Sequence, residues 1–197
     1  MKYFFFLIRH KWLVFLAGIF YTKANVFNLI IHDWSKFTAK EFPHYRLKHL
    51  KKTINNESMQ AAWLNHQNNN PHHWEYWISR SGHGNEGIGT REIAIEMPMK
   101  YVREMVADWM GASRTYGTIE EQKEWPNVLD WYWMKKFGVK KMRGRMHPKT
   151  IEKIDIVFNE VCHIQNKIHC DTLFTRYLNL NDDDISTLFF QKNSKDI

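Results

Sequence analysis

The chain has few of the residues that build disulfide frameworks, tight turns and sheets. Its 197 residues include two cysteines, five prolines and nine glycines. Cys162 and Cys170 do not make a disulfide framework, which fits a reducing compartment, so we expect a cytoplasmic protein. Because helix breakers are scarce and no alternation of apolar and polar residues persists, helix is favoured over strand. The composition therefore predicts an all-α protein.

The chain also lacks an internal boundary. No repeat or linker divides it, and its length suits one domain with a real core. We expect a helical domain over residues 1–180 and a weakly ordered C-terminal tail over residues 181–197.

Two apolar runs at the N-terminus, residues 3–8 and 12–21, together nearly reach the length that spans a bilayer. Arg9, His10 and Lys11 interrupt them in the middle, where charge is most expensive. No cleavage site of the signal-peptide kind follows. We therefore predict a buried helix and do not expect a membrane partner.

Basic residues outnumber acidic ones, with a formal net charge of +7 and a pI near 9.3. This balance favours an anionic partner, such as a phosphorylated small molecule, a nucleotide or nucleic acid. A basic stretch over residues 135–149 could guide an anionic substrate, although a solvated loop explains it equally well.

Apolar periodicity and start signals predict the main helices, at residues 10–21, 26–34, 57–65, 99–112 and 148–168. Capping-box patterns at residues 38–41 and 118–121 predict two further starts. A short aromatic helix is expected at residues 72–78, followed by a glycine-containing loop at 79–90 without the spacing of a phosphate-binding motif.

The most informative pair is His32-Asp33, which ends an apolar helical run, with Lys36 one turn later. An unpaired carboxylate in apolar surroundings is costly, and an adjacent imidazole and carboxylate suit a divalent cation. His10 and Asp108 lie on inward stripes of two other predicted helices. His66, His72 and His73 lie around the helix break at Asn70 and are further candidates. Four helical segments thus contribute possible ligands: His10; His32 and Asp33; His66, His72 and His73; and Asp108.

Each candidate also has a simpler explanation. His10 could donate to a carbonyl, and Asp108 could pair with Arg103, Arg114 or a helix N-terminus. His72 and His73 could line an aromatic surface, and Lys36 could be solvated. The whole set favours a metal site more strongly than any one member does.

The order His, His-Asp, His, His, Asp, with a lysine after the His-Asp pair, resembles the HD superfamily of metal-dependent phosphohydrolases. The resemblance covers residues 10–108 and implies an all-α, single-domain helical bundle of the HD type. Four stretches look closer still to an uncharacterised family of bacteria and phages, known as a domain of unknown function, which supplies no substrate. These stretches begin at His10, His32, Asn70 and Val102.

The resemblance implies a metal site with one or two divalent transition-metal ions, without distinguishing Mn, Fe, Co, Ni and Zn. A first metal would be held by His10, His32, Asp33 and Asp108. Asp33 would bridge to a second, held by His66 and by His72 or His73. The interval between His66 and His72 is shorter than in the cyclic-dinucleotide phosphodiesterase branch, and the Gly-Tyr-Pro signature of that branch is missing.

The implied function is a phosphomonoesterase or phosphodiesterase acting on a nucleotide or another phosphorylated substrate. Asp33 and Lys36 would be catalytic, and Lys36 would bind the substrate phosphate. Arg114 and Tyr116 could bind phosphate or stack on a base, although a surface turn explains these two residues equally well. One alternative is a mixed-valence di-iron oxygenase, which shares the HD fold and ligand order. Another is a non-catalytic nucleic-acid-binding module with a structural metal.

Overall fold

The computed structural model describes residues 2–53, 55–80, 92–126 and 144–165, and this part of the chain is mostly helical. The prediction of a mostly helical protein is therefore confirmed. The described α-helices are α1 Lys2–Ala17, α2 Val26–Ile31, α3 Phe42–His49, α4 Asn56–Asn69, α5 Met99–Tyr116 and α6 Pro148–Ile164. Three shorter helical segments are also present: a π-helical turn at Gly18–Thr22 and 3₁₀ turns at Trp34–Phe37 and Trp74–Trp77.

A small antiparallel ribbon joins strands β1, Ile78–Arg80, and β2, Glu92–Ala94, with Ile78 opposite Ala94. The sequence analysis missed it, because three residues are too few for alternation to emerge. Most of the predicted loop at residues 79–90 lies outside the described residues.

The antiparallel pair α1 and α5 organises the fold around the functional residues. His10 lies opposite Thr115, and Val14 lies opposite Gly111. A Cβ atom on Gly111 would lie 2.6 Å from Val14 Cγ2 and 2.8 Å from Val14 N. Because the backbone of α1 occupies that space, glycine is required for this close approach. The approach brings His10 of α1 beside Asp108 of α5.

Helix α6 completes the core by packing against α5. Phe158, Val157 and Val161 are fully buried there. Beside them, Arg103 donates two hydrogen bonds to the Glu160 carboxylate, at 2.8 and 2.9 Å, and one to the carbonyl of Thr22. These contacts connect α5, α6 and the π-helical turn.

Cys162 on α6 is buried and disulfide-bonded. One bonded cysteine among the described residues does not contradict the expectation that the two cysteines make no disulfide framework, because a framework needs several bonds.

Helix α1 begins eight residues before the predicted helix, because residues 3–8 are helical as well. Only one face is buried, so the prediction of a buried helix is wrong for the outward face, where Phe5 and Trp12 are exposed. The segment Lys2–Thr22 is long and apolar enough to cross a membrane by length and composition alone, a test that core helices of soluble proteins also pass.

The other boundaries agree more closely with the sequence. Helix α5 follows Pro98, and α6 has Pro148 at its start, as predicted. Asn55 caps α4 by accepting from the amides of Glu57 and Ser58. The predicted capping box at residues 38–41 does not form, since α3 begins after Glu41 without a side-chain cap. At residues 118–121 the capping-box hydrogen bonds do form, with the amide of Thr118 donating to Glu121 Oε2 and the amide of Glu121 donating to Thr118 Oγ1, but residues 119–123 are turns, so the predicted helix does not start there. The part of that helix after residue 126, the predicted tail and most of the basic stretch at 135–149 lie outside the described residues.

Candidate metal centre

The His32-Asp33 pair sits at a sharp change of backbone direction. Helix α2 ends at Ile31, three residues earlier than predicted, and Asp33 adopts a left-handed conformation with φ of 55°. Aspartate tolerates this region better than most residues, yet the conformation still costs energy and tends to occur at functional sites. The carbonyl of His32 accepts a hydrogen bond from Lys11 Nζ, which ties the turn to α1. His32 and Asp33 are both buried.

A first cluster joins His10, His32, Asp33 and Asp108, each of which offers one ligand atom within 4.8 Å of the others. His10 Nε2 lies 3.1 Å from Asp108 Oδ1 and 3.6 Å from Asp33 Oδ2. His32 Nε2 lies 3.5 Å from each of the same two oxygens. Two imidazoles and two carboxylates thus face one another across a space of the size that a metal ion takes.

A second cluster joins Asp33, His66, His72 and His73 within the same 4.8 Å limit. His66 Nε2 lies 3.3 Å from Asp33 Oδ1, and His72 Nε2 lies 3.5 Å from it. His73 Nε2 lies 2.9 Å from His66 Nε2. Both members of the His72-His73 pair therefore belong to the cluster, whereas the sequence left the choice between them open.

Asp33 belongs to both clusters through different oxygens. Its Oδ2 faces His10 and His32, and its Oδ1 faces His66 and His72. A carboxylate placed in this way can bridge two cations. The structure thus brings together all seven residues that the sequence predicted as ligands.

The donor atoms of this centre include buried polar atoms without a partner. His32 Nε2, His72 Nε2 and Asp33 Oδ1 are buried and make no hydrogen bond. Leaving such an atom unsatisfied costs about 1–3 kcal/mol each. All three point into the two clusters, and a bound metal ion would satisfy them together. The residues therefore fit a metal centre.

The opposite ring nitrogens of the histidines are held by acceptors. Glu104 Oε1 lies 3.0 Å from His32 Nδ1 and 3.1 Å from His72 Nδ1, so one carboxylate orients a ligand of each cluster. Glu41 Oε2 lies 2.9 Å from His66 Nδ1. When the imidazole is neutral and Nδ1 donates to a carboxylate, Nε2 presents its lone pair to the cluster.

Charge in this region also favours a cation. The carboxylates of Asp33, Asp108, Glu104 and Glu41 are gathered here. Burial opposes their ionisation, but lysine and histidine neighbours outweigh it, so each carboxyl pKa lies below its ordinary value, with Glu104 at about 2. Four ionised carboxylates therefore share a largely buried region, which positive charge must balance.

The histidines respond differently to these surroundings. Burial lowers the pKa of His32, but the negative charges of Asp33, Asp108 and Glu104 overcome it and raise that pKa to about 10, so without a metal ion this imidazole is protonated at neutral pH. Burial and neighbouring histidines lower the pKa of both His72 and His73. His72 and His73 are therefore neutral imidazoles near neutral pH, which is the form that binds metals.

The rim of the centre carries groups suited to an anionic substrate. Lys36 Nζ lies 2.5 Å from Asp33 Oδ2. The ring of Tyr116 lies 5.6 Å from that of His10, and the residue is 57% exposed. The hydroxyl of Tyr45 is buried without a hydrogen-bond partner, and Lys36 lies 6.0 Å from the centre of its ring.

Arg114, which the sequence predicted as a phosphate-binding residue, contacts residues outside the two clusters. Its guanidinium donates to the carbonyls of Gln122 and Lys123 and stacks on Trp125, 4.7 Å from the ring centre. Arg103 binds Glu160 and the carbonyl of Thr22, as described above. Neither arginine pairs with Asp108, so the simpler explanation of Asp108 as an ion-pair partner of these residues is wrong.

The described part of the basic stretch is paired with acidic residues. Arg145 Nη2 lies 3.0 Å from Glu92 Oε2, and Lys149 Nζ lies 3.8 Å from Glu96 Oε2. These two residues therefore form local surface ion pairs.

Sequence reasoning missed the carboxylates behind the histidines. Glu104 precedes Asp108 by one helical turn, so its place on the same side of α5 was readable from the spacing. Glu41 carried no such signal, because a turn between α2 and α3 brings it to His66 on α4.

The chain belongs to DUF5662, a family of unknown function. The family model matches residues 1–169 and includes every residue of the two clusters. No curated protein and no solved structure matches the chain. Because the family assigns no activity, the function has to be argued from the centre itself.

Proposed function

We propose that this protein is a metal-dependent phosphohydrolase with a binuclear His/Asp centre on a helical bundle of the HD type. The observation that supports it most is Asp33, whose two oxygens face two buried ligand clusters while Lys36 neutralises it at the rim. The substrate class is a nucleotide or another phosphorylated compound, as phosphomonoester or phosphodiester.

The ligand set supports transition metals. Mixed imidazole and carboxylate ligands suit Mn, Fe, Co, Ni or Zn, whereas Mg and Ca prefer oxygen ligands. Divalent ions bound at such a site supply Lewis-acid stabilisation of a phosphoryl group and make water a better nucleophile.

The chain's own residues perform the remaining tasks in this proposal. Asp33 holds the two clusters in a fixed relation, and Glu104 fixes the orientation of His32 and His72. Lys36 contributes a positive charge at the rim, where it can neutralise a non-bridging phosphate oxygen. The exposed ring of Tyr116 offers a surface on which a base can stack.

Metal content gives the first test. We expect one or two equivalents of transition metal in the purified protein by plasma mass spectrometry. Asp33→Ala should remove both, because both clusters use this side chain, whereas His66→Ala should remove only the second. Full metal content in Asp33→Ala would contradict the shared centre.

Activity gives the second test. The metal-loaded protein is screened against phosphorylated metabolites, nucleotides and cyclic nucleotides under anaerobic conditions, with Asp33→Ala as the control. Phosphate release that the control lacks would support hydrolysis. In a parallel assay in air, iron-dependent oxygen consumption without phosphate release would contradict the proposal and favour an oxygenase.

A further inference from the structure

Helix α1 presents a second apolar face to solvent. Phe5, Ile8 and Trp12 follow one another at helical spacing on this face and are 64%, 43% and 58% exposed. The opposite side of the same helix holds the buried residues His10 and Val14. Because the inward side makes the contacts of the fold, these exposed residues do not belong to the core formed by the described part of the chain.

The segment around α2 continues this surface. Phe27 and Trp34 are each 66% exposed, and Ile30 and Ile31 are about half exposed. The two parts meet at Phe37, whose ring centre lies 6.0 Å from that of Phe4 on α1 and 5.7 Å from that of Trp34. We call this surface the outer apolar face; it comprises Phe4, Phe5, Ile8, Trp12, Phe27, Ile30, Ile31 and Trp34.

Eight large apolar side chains exposed on one surface indicate an interaction site. Monomeric soluble proteins rarely expose large contiguous apolar patches, and those that occur mark interaction sites. The face is made of large aliphatic and aromatic side chains, which a lipid interface accepts by burying them at the boundary of headgroup and acyl chain.

The charge of the same segment identifies the kind of partner. Residues 2–40 contain six lysines and arginines and one acid, Asp33, which is buried in the candidate metal centre. Lys36 pairs with Asp33 and Lys23 with Glu160, so the four remaining basic residues have no acidic partner among the described residues: Lys2, Arg9, Lys11 and Lys40. A second copy of the chain would bring the same positive charge to the contact and no exposed acid from this segment. Anionic lipid headgroups would supply the missing negative charge, at about 1 kcal/mol for each basic residue near the surface.

We propose that the outer apolar face docks on the surface of an anionic phospholipid bilayer, with α1 and α2 lying in the plane of the interface. Spanning is excluded by the fold, because α1 packs against α5 and supplies His10 to the metal centre. Arg9 and Lys11 interrupt the apolar run that a membrane span would need, which a helix lying at the interface tolerates. In the structure both side chains bind the protein itself, Arg9 at Arg114 and Gln122 and Lys11 at the carbonyl of His32. The proposal is independent of the proposed activity.

Vesicle flotation tests this inference with the full-length, metal-loaded protein. One set of vesicles contains phosphatidylcholine alone, and the other contains equimolar phosphatidylcholine and phosphatidylglycerol. We expect the protein to float with the anionic vesicles, to float far less with the neutral ones, and to be released by high salt as the headgroup charge is screened.

A pair of matched double variants separates the face from general hydrophobicity. Phe5→Ser with Phe27→Ser removes two aromatic side chains from the outer apolar face, and Ile93→Ser with Ile156→Ser removes two exposed side chains elsewhere. We expect the first to lower the partition coefficient at least about tenfold, or 1.4 kcal/mol, and the second to leave it unchanged.

Three results would overturn the proposal. They are absence of flotation with anionic vesicles, equal flotation of the two double variants, and a stable dimer in light scattering that only Phe5→Ser with Phe27→Ser dissociates. The last result would assign the face to a second copy of the chain. Metal content and far-UV circular dichroism of each variant establish that the fold is retained.

Discussion

Replacement of Glu104 by Gln should weaken both metal sites at once. Glu104 Oε1 accepts from Nδ1 of His32 and of His72, and Glu104 Oε2 accepts from Asn28 Nδ2 at 3.1 Å. The amide of Gln has one oxygen and one donor group, so it cannot accept from all three donors in this arrangement. It also lacks the negative charge that increases the basicity of the two imidazoles.

The expected magnitude follows from the role of such carboxylates. Loss of an outer partner of a metal-binding histidine lowers metal affinity by about 10- to 100-fold, or about 1.4–2.7 kcal/mol. Because Glu104 contacts one histidine of each cluster, both affinities should fall by this factor. Glu41 contacts only His66 among the ligands, so Glu41→Gln should weaken the second site alone.

The assay is calorimetric titration of chelator-treated protein with Zn²⁺ or Mn²⁺, for wild type, Glu104→Gln and Glu41→Gln. Circular dichroism of each apo protein serves as the control for folding. The reasoning is refuted if Glu104→Gln keeps both wild-type affinities, or if it weakens a single site while Glu41→Gln weakens both.

Four further outcomes are expected. Lys36→Ala should retain its fold and metal and lower turnover by about 10- to 150-fold on a substrate found in the screen, the equivalent of one charge-assisted contact of about 1.5–3 kcal/mol; an unchanged rate would remove Lys36 from the mechanism. Chelation should lower the melting temperature by about 5–11 °C if the metals stabilise the fold by about 2.7 kcal/mol, and Asp33→Asn with Asp108→Asn should abolish most of this dependence. Gly111→Ala should destabilise the protein by about 1–3 kcal/mol in denaturant unfolding, because its Cβ would meet the backbone of α1; a stability equal to wild type would refute the close approach. Glu160→Gln should lower stability by up to about 1 kcal/mol at neutral pH, because the Glu160 pKa lies below its ordinary value. The contribution of Glu160 disappears as pH falls through that pKa, so melting curves in acid should show no loss in the variant.

The sequence predicted some helix boundaries correctly and others not. Pro98 and Pro148 predicted the starts of α5 and α6, because proline suits the beginning of a helix and an apolar periodicity follows each proline. The end of α2 was misjudged, since the left-handed turn at Asp33 is maintained by its surroundings and has no signature in a propensity scale. The short strands were missed for a similar reason, as their pairing depends on the partner strand.

The candidate ligands could be identified from the sequence itself. An inward His10, the His32-Asp33 pair, the later histidines and Asp108 have metal-binding chemistry wherever they lie, and their order along four helical segments already indicated one centre. The sharing of Asp33 between two clusters was decided by the tertiary structure, because it depends on which oxygen faces which histidine. The tertiary structure also decided the roles of Glu104 and Glu41 and placed the guanidinium of Arg114 outside the centre. Chemical type is a property of each residue, whereas these distances arise only when helices far apart in the chain pack together.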